Sequence, residues 1–148
     1  MLAKLLPPAL QTKINSLART IGRNPRFEDI APLSGMTEGC LDIVRLTLSA
    51  MSIDEKDWVR SSEDGLYGFH NVPMHTDGIH PRSVVTLFIP VKGHGELACF
   101  GQGHIQQHFF HGSRSLAVAL DDHKPHSFCT LSNCYAILTG VNRRAVLV

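Results

Sequence analysis

The spacing of apolar residues changes near Ser52. Before it, Leu10, Ile14, Leu17, Ala18 and Ile21 recur every three or four positions. That is the period of one helix face, and it predicts an amphipathic helix over residues 9–21. Pro7 and Pro8 can open this helix and Gly22 can stop it. Residues 23–35 are polar, contain Pro and Gly, and read as a connection. Leu41, Val44, Leu48 and Met51 then repeat the helical spacing over residues 37–51, with Thr37 placed to cap. The β-branched residues in this stretch leave a strand open as the other assignment.

After Ser52 the period shortens to two. Residues 58–62 read as a short strand, Glu63-Asp64-Gly65 as a turn, and residues 66–70 as a second strand. Over residues 83–91 two apolar sets alternate: Val85, Leu87, Ile89 and Val91 against Val84, Thr86 and Phe88. A strand apolar on both faces belongs inside a sandwich or barrel. Lys92-Gly93-His94-Gly95 makes a turn. Residues 96–100, 104–110, 115–120, 126–131 and 134–141 follow as short strands separated by Gly, Asp, Asn or Pro signals. Such regular spacing predicts an antiparallel jelly roll, in the α+β class but mainly β, with one or two N-terminal helices packed outside. A chain of 148 residues is expected to form one domain, with residues 1–51 as helical cover and residues 52–148 as the jelly-roll core.

Charge adds little to this picture. The formal net charge is +1 and no run exceeds two adjacent Lys or Arg, so there is no electrostatic case for nucleic acid. The apolar run before Pro7 is too short for a signal peptide, and no stretch has the length of a membrane span. The expected location is therefore cytoplasmic. Cys40, Cys99, Cys129 and Cys134 contain no C-x-x-C pair. Cys129 and Cys134 flank a Thr-Leu-Ser-Asn turn and could face one another. The reading adopted is four small buried hydrophobes in a reducing compartment.

The nine histidines are the compositional outlier, and their placement decides what they do. His75 and Asp77 are two residues apart just before the apolar strand, so on an extended backbone both side chains point to one face. A third ligand is available at His126, after Pro125 and at the start of another strand. Two imidazoles and one carboxylate form the facial set of non-haem Fe(II) centres, which leaves positions open for O2 and substrate. His123 competes with His126 but sits in an Asp-rich turn. The plainer alternative is a surface turn at Asp77-Gly78 in which His75 is only hydrogen-bonded. Alternation puts His104, Gln106 and His108 on one strand face and His111 on the other, which reads as a solvated strand. His94 falls in a glycine turn. His70 and His80 could assist the site or lie at the surface.

These residues resemble those of the Fe(II)- and 2-oxoglutarate-dependent oxygenases of the prolyl-hydroxylase-like type. The resemblance covers residues 66–141. It rests on His75-Thr76-Asp77, on residues 82–88, on Gly95-Glu96-Leu97, and on residues 121–128 ahead of Tyr135-Ala136-Ile137. It implies a double-stranded β-helix with iron held by His75, Asp77 and His126 and with 2-oxoglutarate as co-substrate. It also implies a hydroxylation of a small molecule or a protein side chain, with Tyr67, Thr86 and Phe88 lining the substrate pocket. One departure stands out. Family members carry a basic residue about nine positions past the last metal histidine to grip the co-substrate's far carboxylate, whereas this chain reads Ser132-Asn133-Cys134-Tyr135-Ala136. A tyrosine common late on the strand after His-x-Asp is Pro90 here. Arg82, Arg114, Arg143 and Arg144 are the substitutes available, and Arg82 and Arg144 are favoured as cofactor-binding residues. The alternatives are a non-catalytic jelly-roll module that binds a metal or ligand without 2-oxoglutarate, and a cupin-like metalloenzyme that needs no co-substrate.

Overall fold

Strands of this chain pass back and forth between two facing antiparallel sheets, so that its apolar alternation fills two separate cores. The computed structural model describes residues 2–101, 103–111 and 116–146. The larger sheet contains β1 (Leu2–Leu5), β2 (Ala31–Ser34), β3 (Trp58–Val59), β4 (Gly65–Phe69), β6 (Val84–Lys92), β9 (Leu116–Leu120) and β11 (Cys134–Asn142). Its order is β1-β9-β6-β11-β4-β2, with β3 paired to β11. The smaller sheet runs β5-β10-β7-β8, from β5 (Val72–His75), β7 (His94–Gly101), β8 (His104–His111) and β10 (His126–Thr130). This is the predicted mainly β jelly roll.

Helices α1 (Pro8–Arg19) and α2 (Glu38–Ala50) cover the outer face of the larger sheet. Pro8 opens α1, where a missing N–H costs nothing. Thr37 caps α2, its hydroxyl accepting from Cys40 N at 3.3 Å. Leu10 and Ile14 of α1 and Ile43, Val44 and Leu48 of α2 bury against Val85, Leu87, Ile89 and Val91 of β6. The other side of β6 sends Phe88 between the sheets, among Phe69, Phe110 and Phe128. The two apolar faces of β6 therefore have two different partners. Each fully buried side chain of this kind stabilises the fold by about 1.5–3 kcal/mol.

Residues 1–51 contribute more than helices, contrary to the sequence reading. β1 pairs along β9 from Leu2↔Ala119 to Leu5↔Leu116, and β2 pairs with β4. Both are edge strands of four residues, too short to show a period, and their pairing depends on distant partners. Pro32 is tolerated in β2 because an edge strand needs only one of its sides paired.

The reading of β8 as a solvated strand holds for His104 and for the outer face, but not for the rest of the inner face. Phe110 is buried and Gln106 and His108 are half-buried, while Ile105, Gln107, Phe109 and His111 are exposed, Phe109 by 73%. The chain places two large apolar residues on the outer side, which inverts the usual pattern. Burial holds the His108 imidazole below its ordinary pKa. No disulfide joins the four cysteines. Cys40, Cys99 and Cys134 are buried as expected, but Cys129 is exposed. Burial pushes the Cys134 thiol up to about 11. Among the described residues no helix is long and apolar enough to cross a membrane.

Candidate metal centre

The corner between the two sheets builds the site. Asn71 links β4 to β5 with φ 44, a left-handed conformation that asparagine tolerates better than most residues. It also clamps the far end of β10. Asn71 N donates to Thr130 Oγ1 at 3.0 Å, and Thr130 N donates to Asn71 Oδ1 at 2.7 Å. From that clamp β5 and β10 run antiparallel, with Val72 opposite Phe128 and His75 opposite His126. Asp77 lies two residues beyond His75, and its N–H donates to Asp122 O at 2.8 Å. The backbone thus holds all three side chains at one end of the barrel.

Their geometry is that of a ligand set. His75 Nε2 lies 3.4 Å and His126 Nε2 3.1 Å from the same oxygen, Asp77 Oδ2. One ligand atom from each residue falls within 4.8 Å of the others. Ligand atoms at right angles on an ion, each about 2.1 Å away, stand about 3.0 Å apart, so the spacing fits. The Nδ1 atoms are already committed. His75 Nδ1 lies 2.7 Å from Pro73 O and His126 Nδ1 lies 2.8 Å from Lys124 O. A carbonyl only accepts, so each Nδ1 carries the proton and each Nε2 of a neutral ring presents a lone pair. Three lone-pair donors then converge on one point, an arrangement that a cation between them stabilises.

His123 stands apart from this set. Its Nε2 meets His80 O at 2.6 Å. The loop that carries it is braced instead by Asp121, which accepts from His123 N at 3.1 Å and from Arg143 Nη1 at 2.9 Å. Burial opposes ionisation of Asp121, but these hydrogen bonds and the Arg143 charge outweigh it and hold its pKa below the ordinary value of 3.8.

A cavity of about 420 Å³ opens beside the triad. Tyr67 and Thr86 line it, as does Phe128. Phe88 does not. It is 1% exposed and lies behind Phe128, with ring centroids 5.1 Å apart, although Thr86, two residues before it on the same strand face, lines the cavity. The Tyr67 hydroxyl donates to Glu63 O, and burial, with Glu63 and Asp64 nearby, raises its pKa.

No Lys or Arg is found among the described residues that line this cavity. Arg144 bonds Asp57 at 3.2 Å through Nε and Nη2, and Arg143 is spent on Asp121 and on Arg82 O. The Arg82 side chain is exposed outside the cavity. Arg114 lies outside the described residues. The two favoured anchors therefore do not reach the site, because the strand-end positions that carry them face the outer surface. In place of a base the cavity offers Asp29, Glu63, Asp64 and Asp122 besides Asp77. The sequence reading had taken these four only as turn or connection residues. Nothing local distinguishes them, since Asp29, the Glu63-Asp64 pair and Asp122 come from three segments that only the closed barrel brings together.

No family model matches the chain, and no curated protein matches it by sequence. Solved structures do. AviO1 from Streptomyces viridochromogenes Tue57 aligns with a TM-score of 0.52 at 12% identity, over 99% of this chain and 91% of its own. An oxidoreductase of the 2OG-Fe(II) oxygenase family from Burkholderia pseudomallei aligns with a TM-score of 0.53 at 14% identity, over 97% and 88%. At such identities the likeness is one of fold. The chain has a 2OG-Fe(II) oxygenase-like fold, with a His-Asp-His cluster able to hold a metal ion.

Proposed function

We propose that the protein is a mononuclear Fe(II) oxygenase that works without 2-oxoglutarate. One observation carries the metal assignment. The Nδ1 atoms of His75 and His126 are both tied to carbonyls while their Nε2 atoms meet at Asp77 Oδ2. Such a donor set suits Fe(II) with an open face. When bound, the ion supplies a site at which O2 is activated next to the substrate.

2-Oxoglutarate does not fit the cavity as described. Its far carboxylate would lie among carboxylates, with no Lys or Arg among the described lining residues to pair it, and burying an unpaired anion is strongly unfavourable. Without that co-substrate, a reaction that places both atoms of O2 in the substrate balances with no further reductant. The chain's own groups would orient the substrate: Tyr67 and Thr86 at the cavity wall, with Phe128, Leu120 and Leu138 excluding water. The absent base equally supports a second reading, a module that binds metal and ligand without turnover.

Nitric oxide tests the oxygenase reading and the place of 2-oxoglutarate in it. Added without air to the Fe(II)-loaded protein, it should give the paramagnetic resonance signal of a high-spin iron–nitrosyl, since an oxygenase centre keeps an open position. The signal should be unchanged by 2-oxoglutarate. No nitrosyl signal would reject the oxygenase reading. A signal altered by millimolar 2-oxoglutarate would restore the co-substrate.

A further inference from the structure

The acids of the cavity are not equivalent. Asp64 is saturated, accepting from Ser61 N at 3.1 Å, Ser61 Oγ at 3.2 Å and Thr139 Oγ1 at 2.7 Å. Asp77 faces the two imidazoles. Asp29 and Glu63 are exposed, and Asp29 accepts from Ile30 N at 2.8 Å. Asp122 is different in kind. It is 2% exposed, it lines the cavity, and neither of its carboxylate oxygens has a hydrogen-bond partner.

Its surroundings do not compensate it. His123 Nε2 stands 3.9 Å from Asp122 Oδ1, but that nitrogen is committed to His80 O at 2.6 Å. Arg143 acts on Asp122 only through space, its guanidinium being bonded to Asp121. Buried carboxylates in folded proteins are ordinarily paired, hydrogen-bonded or bound to metal. A second metal ion is disfavoured, because among the described residues the only convergent group of ligands is His75, Asp77 and His126. Water would supply hydrogen bonds but no opposite charge. A cationic N–H donor supplies both.

We propose that the ligand of this cavity carries an ammonium or guanidinium group, and that Asp122 is the residue that pairs with it. Phe128, Leu120 and Leu138 give an apolar wall against which the ligand's carbon chain would lie. The cavity's other carboxylates would add attraction for a cation and repel an anion. This inference rests on the metal-centre reading for its meaning, since the cation would be held beside the triad. Its test is arranged to stand apart.

The test uses n-butylamine, n-butylguanidine and butyrate, which carry short unbranched alkyl chains and differ in head group. Each is titrated into the 148-residue chain, both metal-free and Zn(II)-loaded, and followed by nuclear magnetic resonance. Wild type should bind at least one of the two cations in both forms and should not bind butyrate over the same range. Asp122→Asn should weaken cation binding about tenfold or more while taking up Zn(II) as wild type does. The substitution removes no hydrogen bond found in the structure, so the fold should persist. The contrast between cation and anion in wild type reads the proposal even without the variant. Butyrate binding as well as the cations, no binding of either cation, or cation binding unchanged in Asp122→Asn would each overturn it. Failure of wild type to take up Zn(II), with cation binding intact, would count against the metal reading alone.

Discussion

His75 and His126 stand directly opposite one another in the β5–β10 pair, and each gives its Nδ1 proton to the carbonyl two residues before it, Pro73 and Lys124. The same local device is used twice, on strands that run in opposite directions. It fixes both rings with Nε2 facing inward, so the ligand geometry is set by backbone rather than by mobile side chains.

Removing a ligand should therefore abolish tight metal binding while leaving the fold largely intact. His126→Ala or Asp77→Ala should weaken Mn(II) binding by more than about 100-fold, beyond the effect usual for outer groups that orient a ligand. Titration monitored by paramagnetic resonance checks this. Affinity within a few-fold of wild type would show that the ion, if bound, sits elsewhere.

The Asn71–Thr130 clamp should matter at a distance from the metal. Asn71→Ala loses the hydrogen bond that Thr130 N donates to the Asn71 side chain and forces alanine toward a positive φ, and should cost about 1–3 kcal/mol in urea unfolding. Asn71→Gly keeps the backbone conformation and should cost less. Equal losses for the two variants would remove the strained turn from the explanation.

Stability should fall in acid through Asp121. Its folded pKa lies below 3.8, so its contribution is complete above the unfolded pKa and is lost as pH drops through the folded value. The difference in urea midpoint between wild type and Asp121→Asn should be greatest near about pH 6 and shrink toward about pH 3. A difference that grows in acid would contradict the sign.

Phe88 is a core residue and should behave as one. Phe88→Ala should cost about 3–5 kcal/mol, the range for an aromatic lost from a packed interior. Tyr67→Phe, at the cavity wall, should change stability far less. Comparing their thermal midpoints decides which ring carries the fold.

What the sequence made legible is what is local. The period-two runs located most of the smaller sheet and the centre of the larger one, and His-x-Asp before β6 pointed to a corner where two side chains share a face. His126 was favoured over His123 by its place at a strand start, and the structure turns the two rings in different directions. β1, β2 and Asp122 were not legible, for one physical reason. Each takes its role from a partner far along the chain: β9 for β1, β4 for β2, and for Asp122 the loops that close the cavity. Arg82 and Arg144 were candidates only by charge and position, and strand ends do not say which way a side chain leaves the barrel.

The central claim is a single metal ion on His75, Asp77 and His126. Its most direct measurement is the metal content of the protein after anaerobic loading with Fe(II) and removal of excess by gel filtration, alongside His75→Ala and His126→Ala. The account predicts one equivalent of iron per wild-type chain and none above background in either variant. Less than a tenth of an equivalent in wild type, or one equivalent retained by both variants, would contradict it.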